Sequence, residues 1–284
     1  MILLTGATGT TGRETVRQLR DRGIPFRIMS RDPDRARETL GDDLDCVAGD
    51  FADPTSLAGA FAGIERLSLL CAPVPNLVDL ELGAVAAAKA CGVKHIVKMS
   101  AIKASANAPT IVRRWHGVVE ERIAESGLDW TNLWPNAFMQ NFSRFAPAIR
   151  DHGEFYAPIG EARISLVNVA DVAAVTVAAL TEDGHAGKTY EITGPEALSY
   201  ADCAATLSDT LGKQVKFQTV SLERAREALV EAGIPPVLSE ALIEIDRLFI
   251  DGFGAPVTTV VPDVTGQPAR TFADYVHDNK ALFS

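Results

Sequence analysis

Residues 5–12 read Thr5-Gly6-Ala7-Thr8-Gly9-Thr10-Thr11-Gly12, directly after the apolar run Ile2-Leu3-Leu4. The glycines are three apart, and the stretch 14–22 that follows carries Val16 and Leu19 on one helical face. A strand, a glycine loop and a helix in that order open a dinucleotide-binding βαβ unit. Gly6 permits the tight turn, Gly9 lets the backbone approach a pyrophosphate, and Gly12 lets the helix pack close to the strand. The helix N-terminus then offers free N–H groups and partial positive charge to the anion, and Thr8, Thr10 and Thr11 add hydroxyls.

Outward from this loop the same alternation continues. Residues 26–30, 45–48, 66–71, 95–100 and 129–133 read as strands, and 34–40, 57–62, 77–90 and 113–126 as helices, the last stopped by Gly127. Strands alternating with helices predict an α/β fold, a Rossmann doubly wound parallel sheet with right-handed crossovers. After about residue 136 the texture changes. Strand signals shorten (155–157, 164–167, 189–193, 215–220), helices are expected at 169–180, 200–211, 222–232, 238–249 and 272–279, and Gly and Pro cluster at 252–268. The expected organisation is an NADP-binding Rossmann domain at 1–135 with returning elements from 160–195. Residues 136–284 are expected to form mainly a smaller, irregular α/β substrate-binding portion over the carboxyl ends of the sheet, where open α/β sheets bind ligands.

The 284 residues are 47% hydrophobic and 23% charged, the balance of a globular protein. The net charge of −10 repels phosphate backbones and anionic membranes, so neither nucleic acid nor membrane is an expected partner. The four cysteines form no CxxC pair and no metal-ligand spacing. No metal is expected, and the thiols suit a reducing compartment. The N-terminus lacks the basic region and cleavage site of a signal peptide, and the apolar runs fall short of the ~18–20 residues of a span. The expectation is a cytoplasmic protein.

The residues after each strand describe the guest. An NAD site carries a carboxylate after the second strand, whereas an NADP site puts an arginine there. Here Ser30 is small and polar, Arg31 follows at once, and Arg35 lies one helical turn on. NADP(H) is favoured; the alternative is a surface pair between Arg31 and Asp32 or Asp34. After the third strand Asp50 can accept from an adenine amino group and Phe51 can flank the base, unless Asp50 only starts the helix before Pro54. After the fourth, Ala72 and Pro73 leave room for a dinucleotide in a stiff loop.

The order of motifs resembles a known family over nearly the whole chain: TGATGTTG, SRDPDRA, GDFADP, HIVKMSA, ESGLDWTNLWPNAFMQNF, VNVADVAAV and YEITGPEALSYADCAATLSDTLG. It is similar to the NmrA-like branch of the atypical short-chain dehydrogenases/reductases, nearest the NAD(P)H:quinone-oxidoreductase-like and triarylmethane-dye-reductase-like members. The resemblance implies bound NADP(H) and a substrate cleft formed with the C-terminal portion. The wider superfamily uses a serine and a YxxxK pair. Ser100 stands where the serine belongs, but no YxxxK exists: Val112 occupies the tyrosine position and His116 the lysine position. Ser100 and His116 are therefore the candidate catalytic residues and also cofactor neighbours, with Glu120 at i+4 expected to fix the His116 tautomer. The resemblance places Pro135, Asn136 and Phe138 beside the nicotinamide, Asn136 also reading as a helix N-cap. Asp171 reads as a structural cap, and Trp115, Phe142 and Phe145 as an aromatic lining or core.

With no tyrosine acid, the reaction that remains is hydride transfer to an acceptor needing little acid catalysis. The expected function is an NADPH-dependent reductase of a quinone or similar aromatic, electron-poor small molecule, with a homodimer left open. The alternatives are a non-catalytic NADP(H)-sensing regulator and a specialised-metabolite imine or enone reductase.

Overall fold

The computed structural model describes Met1–Ser284. In chain order its first elements are β1 (Ile2–Leu4), α1 (Thr10–Asp21), β2 (Phe26–Ser30), α2 (Pro33–Leu40), β3 (Cys46–Ala48), α3 (Pro54–Phe61), β4 (Arg66–Leu69), α4 (Leu77–Ala90), β5 (His95–Met99), α5 (Ile111–Glu125) and β6 (Asp129–Pro135). A 3₁₀ turn, Met139–Phe145, leads into α6 (Ala146–His152), β7 (Glu154–Ala157), β8 (Arg163–Ile164), α7 (Val169–Thr181), β9 (Lys188–Ile192), β10 (Leu198–Ser199), α8 (Tyr200–Leu211) and β11 (Lys216–Thr219). The chain ends with α9 (Leu222–Glu231), α10 (Pro236–Ile250), α11 (Val260–Thr265), α12 (Phe272–Asp278) and α13 (Lys280–Phe283).

Seven strands form one sheet in the order β3-β2-β1-β4-β5-β6-β9, and β1 to β6 pair parallel. Leu3, Leu67, Ile96 and Val97 are all but sealed from water, as expected for strands covered by helices on both faces. The strand order reverses between β1 and β4, so the connections that leave their carboxyl ends run in opposite directions at the switch point. The crossover helices start where the sequence provides caps. Asp32 accepts the Arg35 N–H (3.0 Å) with Pro33 at the first position of α2, and Asp53 accepts the Thr55 N–H (3.0 Å) with Pro54 opening α3.

The chain divides into two compact units: Met1–Pro135 with Val172–Glu191, and Asn136–Asp171 with Ile192–Ser284. The first is completed by the later segment. Arg66 donates to Leu180 O (3.0 Å) and Thr131 to His185 O (2.7 Å). The second has its own core, in which Phe142, Phe155, Tyr200 and Phe272 meet ring to ring. Its two short sheets pair β8 with β10 and β7 with β11. Five elements of this unit were not expected: the 3₁₀ turn, α6, the two-residue β10, α11 inside the Gly/Pro-rich stretch, and the short α13. Pro147 and Pro262 sit within the first turns of α6 and α11, where a missing N–H costs nothing, so these prolines start helices instead of breaking them.

Candidate dinucleotide and active site

The glycine loop turns at Gly6, whose φ of +63° is open to glycine and whose added Cβ would lie 2.9 Å from Leu70 O. Thr5 ties β1 to β4 by donating to Ser68 O (3.0 Å) and accepting the Leu70 N–H (2.9 Å). Gly9 precedes α1 in extended conformation and donates to Gly6 O (3.0 Å), with no side chain capping the helix. The first-turn N–H groups of Thr10, Thr11 and Gly12 therefore lack a side-chain acceptor, an arrangement that an anion can complete. Gly12 is packed hard: a Cβ there would fall 2.2 Å from Gly6 O. Thr8 and Thr10 are exposed and Thr11 buried. This cradle fits a diphosphate.

The arginine question resolves at the level of pairing. Asp34 pairs with Arg37 (2.9 Å), and Asp32 caps α2 and is held by Ser30, whose Oγ donates to Asp32 O (2.9 Å). Both carboxylates that competed for Arg31 are thus occupied. The exposed guanidiniums of Arg31 and Arg35 make no ion pair or hydrogen bond in the chain. Asp50 Oδ1 accepts the Ala52 N–H (2.9 Å), while Asp53, not Asp50, caps α3. Phe51 is half-buried against the core, and Ala72 and Pro73 are exposed after β4.

Behind this edge lies a network that motif reading misses. Lys98, in the middle of β5, is fully buried, and its Nζ meets Glu81 Oε2 of α4 (2.6 Å), Met99 O (3.1 Å) and His116 Nδ1 of α5 (3.1 Å). Burial raises the Glu81 carboxyl, opposed by Lys98, and its Oε1 is buried without a partner. Burial, then the Lys98 charge, push His116 well below the usual imidazole range, so it is neutral. Ser100 donates to Glu120 Oε1, which also accepts from Trp134 Nε1 (2.8 Å). Burial raises the Glu120 carboxyl, and those two donors oppose it. Glu120 therefore does not fix His116 as expected. Lys98 does, and Glu120 turns to Ser100. The available signal was a lysine inside the strand His-Ile-Val-Lys-Met and a glutamate inside the apolar helix Leu-Gly-Ala-Val-Ala-Ala.

In the second unit Asn136 is buried and its amide is committed. Nδ2 donates to Ser165 Oγ (2.8 Å) and Gly254 O (2.9 Å), and Oδ1 accepts the Ala137 N–H. With both amide protons used, Asn136 has no donor left for a nicotinamide, and it caps no helix. Phe138 is half-buried and bridges Val167. Pro135, half-buried, closes β6. Asp171 is structural but not a cap: it accepts the Arg270 N–H (2.8 Å) and pairs with that guanidinium. The helix start belongs to Asn168, whose Oδ1 accepts the Ala170 N–H (3.0 Å). Phe142 and Phe145 belong to the core of this unit, and Trp115 packs on the core of the first.

A sheet of this order with an uncapped glycine loop at the switch point defines a dinucleotide-binding protein. Residues 6–183 match the NAD(P)H-binding family, to which the chain belongs. It is 40% identical over 283 residues to the NAD(P)H azoreductase of Xenophilus azovorans, covering 100% of this chain and 99% of the relative. The NADPH-dependent quinone oxidoreductase of Escherichia coli, solved with NADPH, superposes with a TM-score of 0.89 at 30% identity over 100% of both chains. The triphenylmethane reductase of Citrobacter sp., solved with NADP(H), gives 0.88 at 25% identity over 98% and 99%. The chain is an NmrA-like member of the atypical short-chain dehydrogenases/reductases. No helix is long and apolar enough to cross a membrane.

Proposed function

We propose that this chain is an NADPH-dependent reductase that passes hydride to a quinone or a similar flat, electron-poor small molecule, with no catalytic tyrosine. The observation that carries the reading is the partnerless Arg31, with Arg35, on the same sheet edge as the uncapped N-terminus of α1. A 2′-phosphate needs such a cation, and a diphosphate needs such N–H groups. Bound NADPH supplies the hydride. The chain supplies the rest: N–H donors at Thr10, Thr11 and Gly12, the two arginines, Asp50 and Phe51 at the adenine, the small Ala72-Pro73 loop, and Ser100 and His116 at the reacting end.

The relatives support the acceptor class, since they are named for azo, quinone and triphenylmethane reduction. Such acceptors are conjugated and electron-poor, so alignment does most of the work and a valine at position 112 is no obstacle. That same Val112 favours the rival reading of an NADP(H) sensor. A cytoplasmic setting is supported by four free cysteines, two of them buried. The test is loss of reduced-nicotinamide absorbance with NADPH and NADH against quinones, azo dyes, triarylmethane dyes and imines. Turnover of a quinone or dye with NADPH preferred is expected. Tight NADPH binding with no turnover of any acceptor overturns the reductase in favour of the sensor.

A further inference from the structure

The donor that stands in for the missing tyrosine is legible in how β5 meets α5. Lys98 on β5 and Ser100, the residue after its end, are two apart in sequence. His116 and Glu120 are four apart on a helix and share a face. They meet as two rungs, Lys98 to His116 and Ser100 to Glu120. Each rung commits protons. Lys98 carries only donors, so His116 Nδ1 must accept, and the ring's proton must sit on Nε2. Nε2 has no partner in the chain, yet it is not sealed from solvent, since the only buried polar atoms without partners are Glu81 Oε1, Thr110 Oγ1 and Asn132 Oδ1. Ser100 is the reverse case. Its single hydroxyl proton goes to Glu120, so it presents lone pairs alone.

Resting on the reductase reading above, we infer that His116, and not Ser100, is the proton donor to the reduced acceptor, with its Nε2–H tautomer fixed by the buried Lys98–Glu81 pair, while Ser100 accepts a hydrogen bond. Lys98 and Glu81 are positioning residues in this arrangement. The proton path is short and balanced. The Nε2–H bond breaks as its proton passes to the acceptor's oxygen or nitrogen, its electron pair staying on the ring. Nδ1 takes a proton from the Lys98 ammonium, and one solvent proton restores the pair. The charged group that acts on the ring is Lys98 from β5, and the titratable groups that act on Lys98 in turn are Glu81 from α4, Glu120 from α5 and Cys71 after β4. The Cys71 thiol is pushed up to about 11 by burial and by Glu81, so it stays neutral and adds no charge to the cluster.

The state of the ring is read directly by nitrogen NMR on the full-length ¹⁵N-labelled protein. The expected spectrum shows a pyridine-like Nδ1 and a pyrrole-like Nε2 for His116, unchanged from about pH 8 to pH 6 across the ordinary imidazole range. An Nδ1–H tautomer, or titration of His116 in that interval, overturns the inference. In K98M/E81L, which removes both charges together, the two nitrogen shifts are expected to move toward each other as the tautomers mix. Unmoved shifts would show that Lys98 fixes nothing. On the kinetic side, His116→Phe is expected to lower kcat about 100-fold with acceptor KM little changed, and His116→Gln to recover part of it. A larger kcat loss in Ser100→Ala than in His116→Phe reverses the donor assignment. If the native chain turns over no acceptor, the reductase reading fails and takes the donor role with it, while the tautomer stands or falls on the NMR alone.

Discussion

Arg31 has no partner in its own chain although two carboxylates lie within three residues of it, because Asp32 is held by the α2 cap and Asp34 by Arg37. On the proposed reading, a charge-assisted contact to the 2′-phosphate is worth about 1.5–3 kcal/mol, or about 10- to 100-fold in affinity. Arg31→Glu is therefore expected to weaken NADPH binding by at least that factor in calorimetry and leave NADH unchanged. Equal effects on both dinucleotides would remove the 2′-phosphate from Arg31. The buried Lys98–Glu81 pair makes a different demand. Lys98→Met strands a carboxylate sealed from water and is expected to cost about 3–5 kcal/mol in urea unfolding, whereas K98M/E81L should recover most of it. A double variant as unstable as the single would mean that shape, and not the stranded charge, is what fails. These two sites also divide what the sequence made legible. Arg31 could be singled out from the sequence because its proposed role depends on its place after β2. The partners of His116 were not, because Lys98 and Glu81 meet only through tertiary packing across 17 residues. The i+4 expectation for Glu120 lost to a nearer strand.

At the scale of elements, the β1–loop–α1 unit was legible almost residue by residue, because its function restricts backbone geometry and only glycine satisfies it. The three glycines do not carry the same load. A Cβ at Gly12 would fall 2.2 Å from a backbone oxygen, so Gly12→Ala is expected to cost about 3 kcal/mol or more and to lower the melting temperature sharply. A Cβ at Gly9 would lie 3.3 Å from Gly6 O with φ at −75°, a place alanine tolerates within about 1 kcal/mol. Gly9→Ala is therefore expected to melt near the native temperature and still bind NADPH at least about 10-fold more weakly, because on the proposed reading the methyl would stand where the pyrophosphate approaches. Normal binding by Gly9→Ala would place the phosphates elsewhere. The elements of the second unit were harder to read, since nothing in them is fixed by a ligand motif. A proline can start a helix or stop one, and in α6 and α11 only packing decides that it starts them.

For the molecule as a whole, burial of ionisable groups sets the pH response. His116 and His95 are both held below the usual imidazole range, chiefly by burial. Their folded values lie under the unfolded value of about 6.5, so the unfolded chain binds more protons below that pH. Stability from these histidines is full above pH ~6.5 and falls as pH drops through it, each by up to about 1.4 kcal/mol per pH unit. Asp246 works the other way: burial lifts its carboxyl to about 6, so the folded chain binds the extra proton between the unfolded carboxylate range and pH ~6. Its contribution is present at low pH and is lost as pH rises through about 6. Between pH 7 and pH 5 the depressed His116, His95 and His185 oppose the raised Asp246, Glu81, Glu120 and Asp171, and because the histidines' unfolded value lies inside this interval their loss on acidification is expected to prevail. Urea midpoints are expected to fall steadily over this interval. Asp246→Asn should steepen the fall by removing one opposing group, and His95→Gln should flatten it. A midpoint that rises on acidification, or is indifferent to both substitutions, would mean that these groups are solvated in the folded chain.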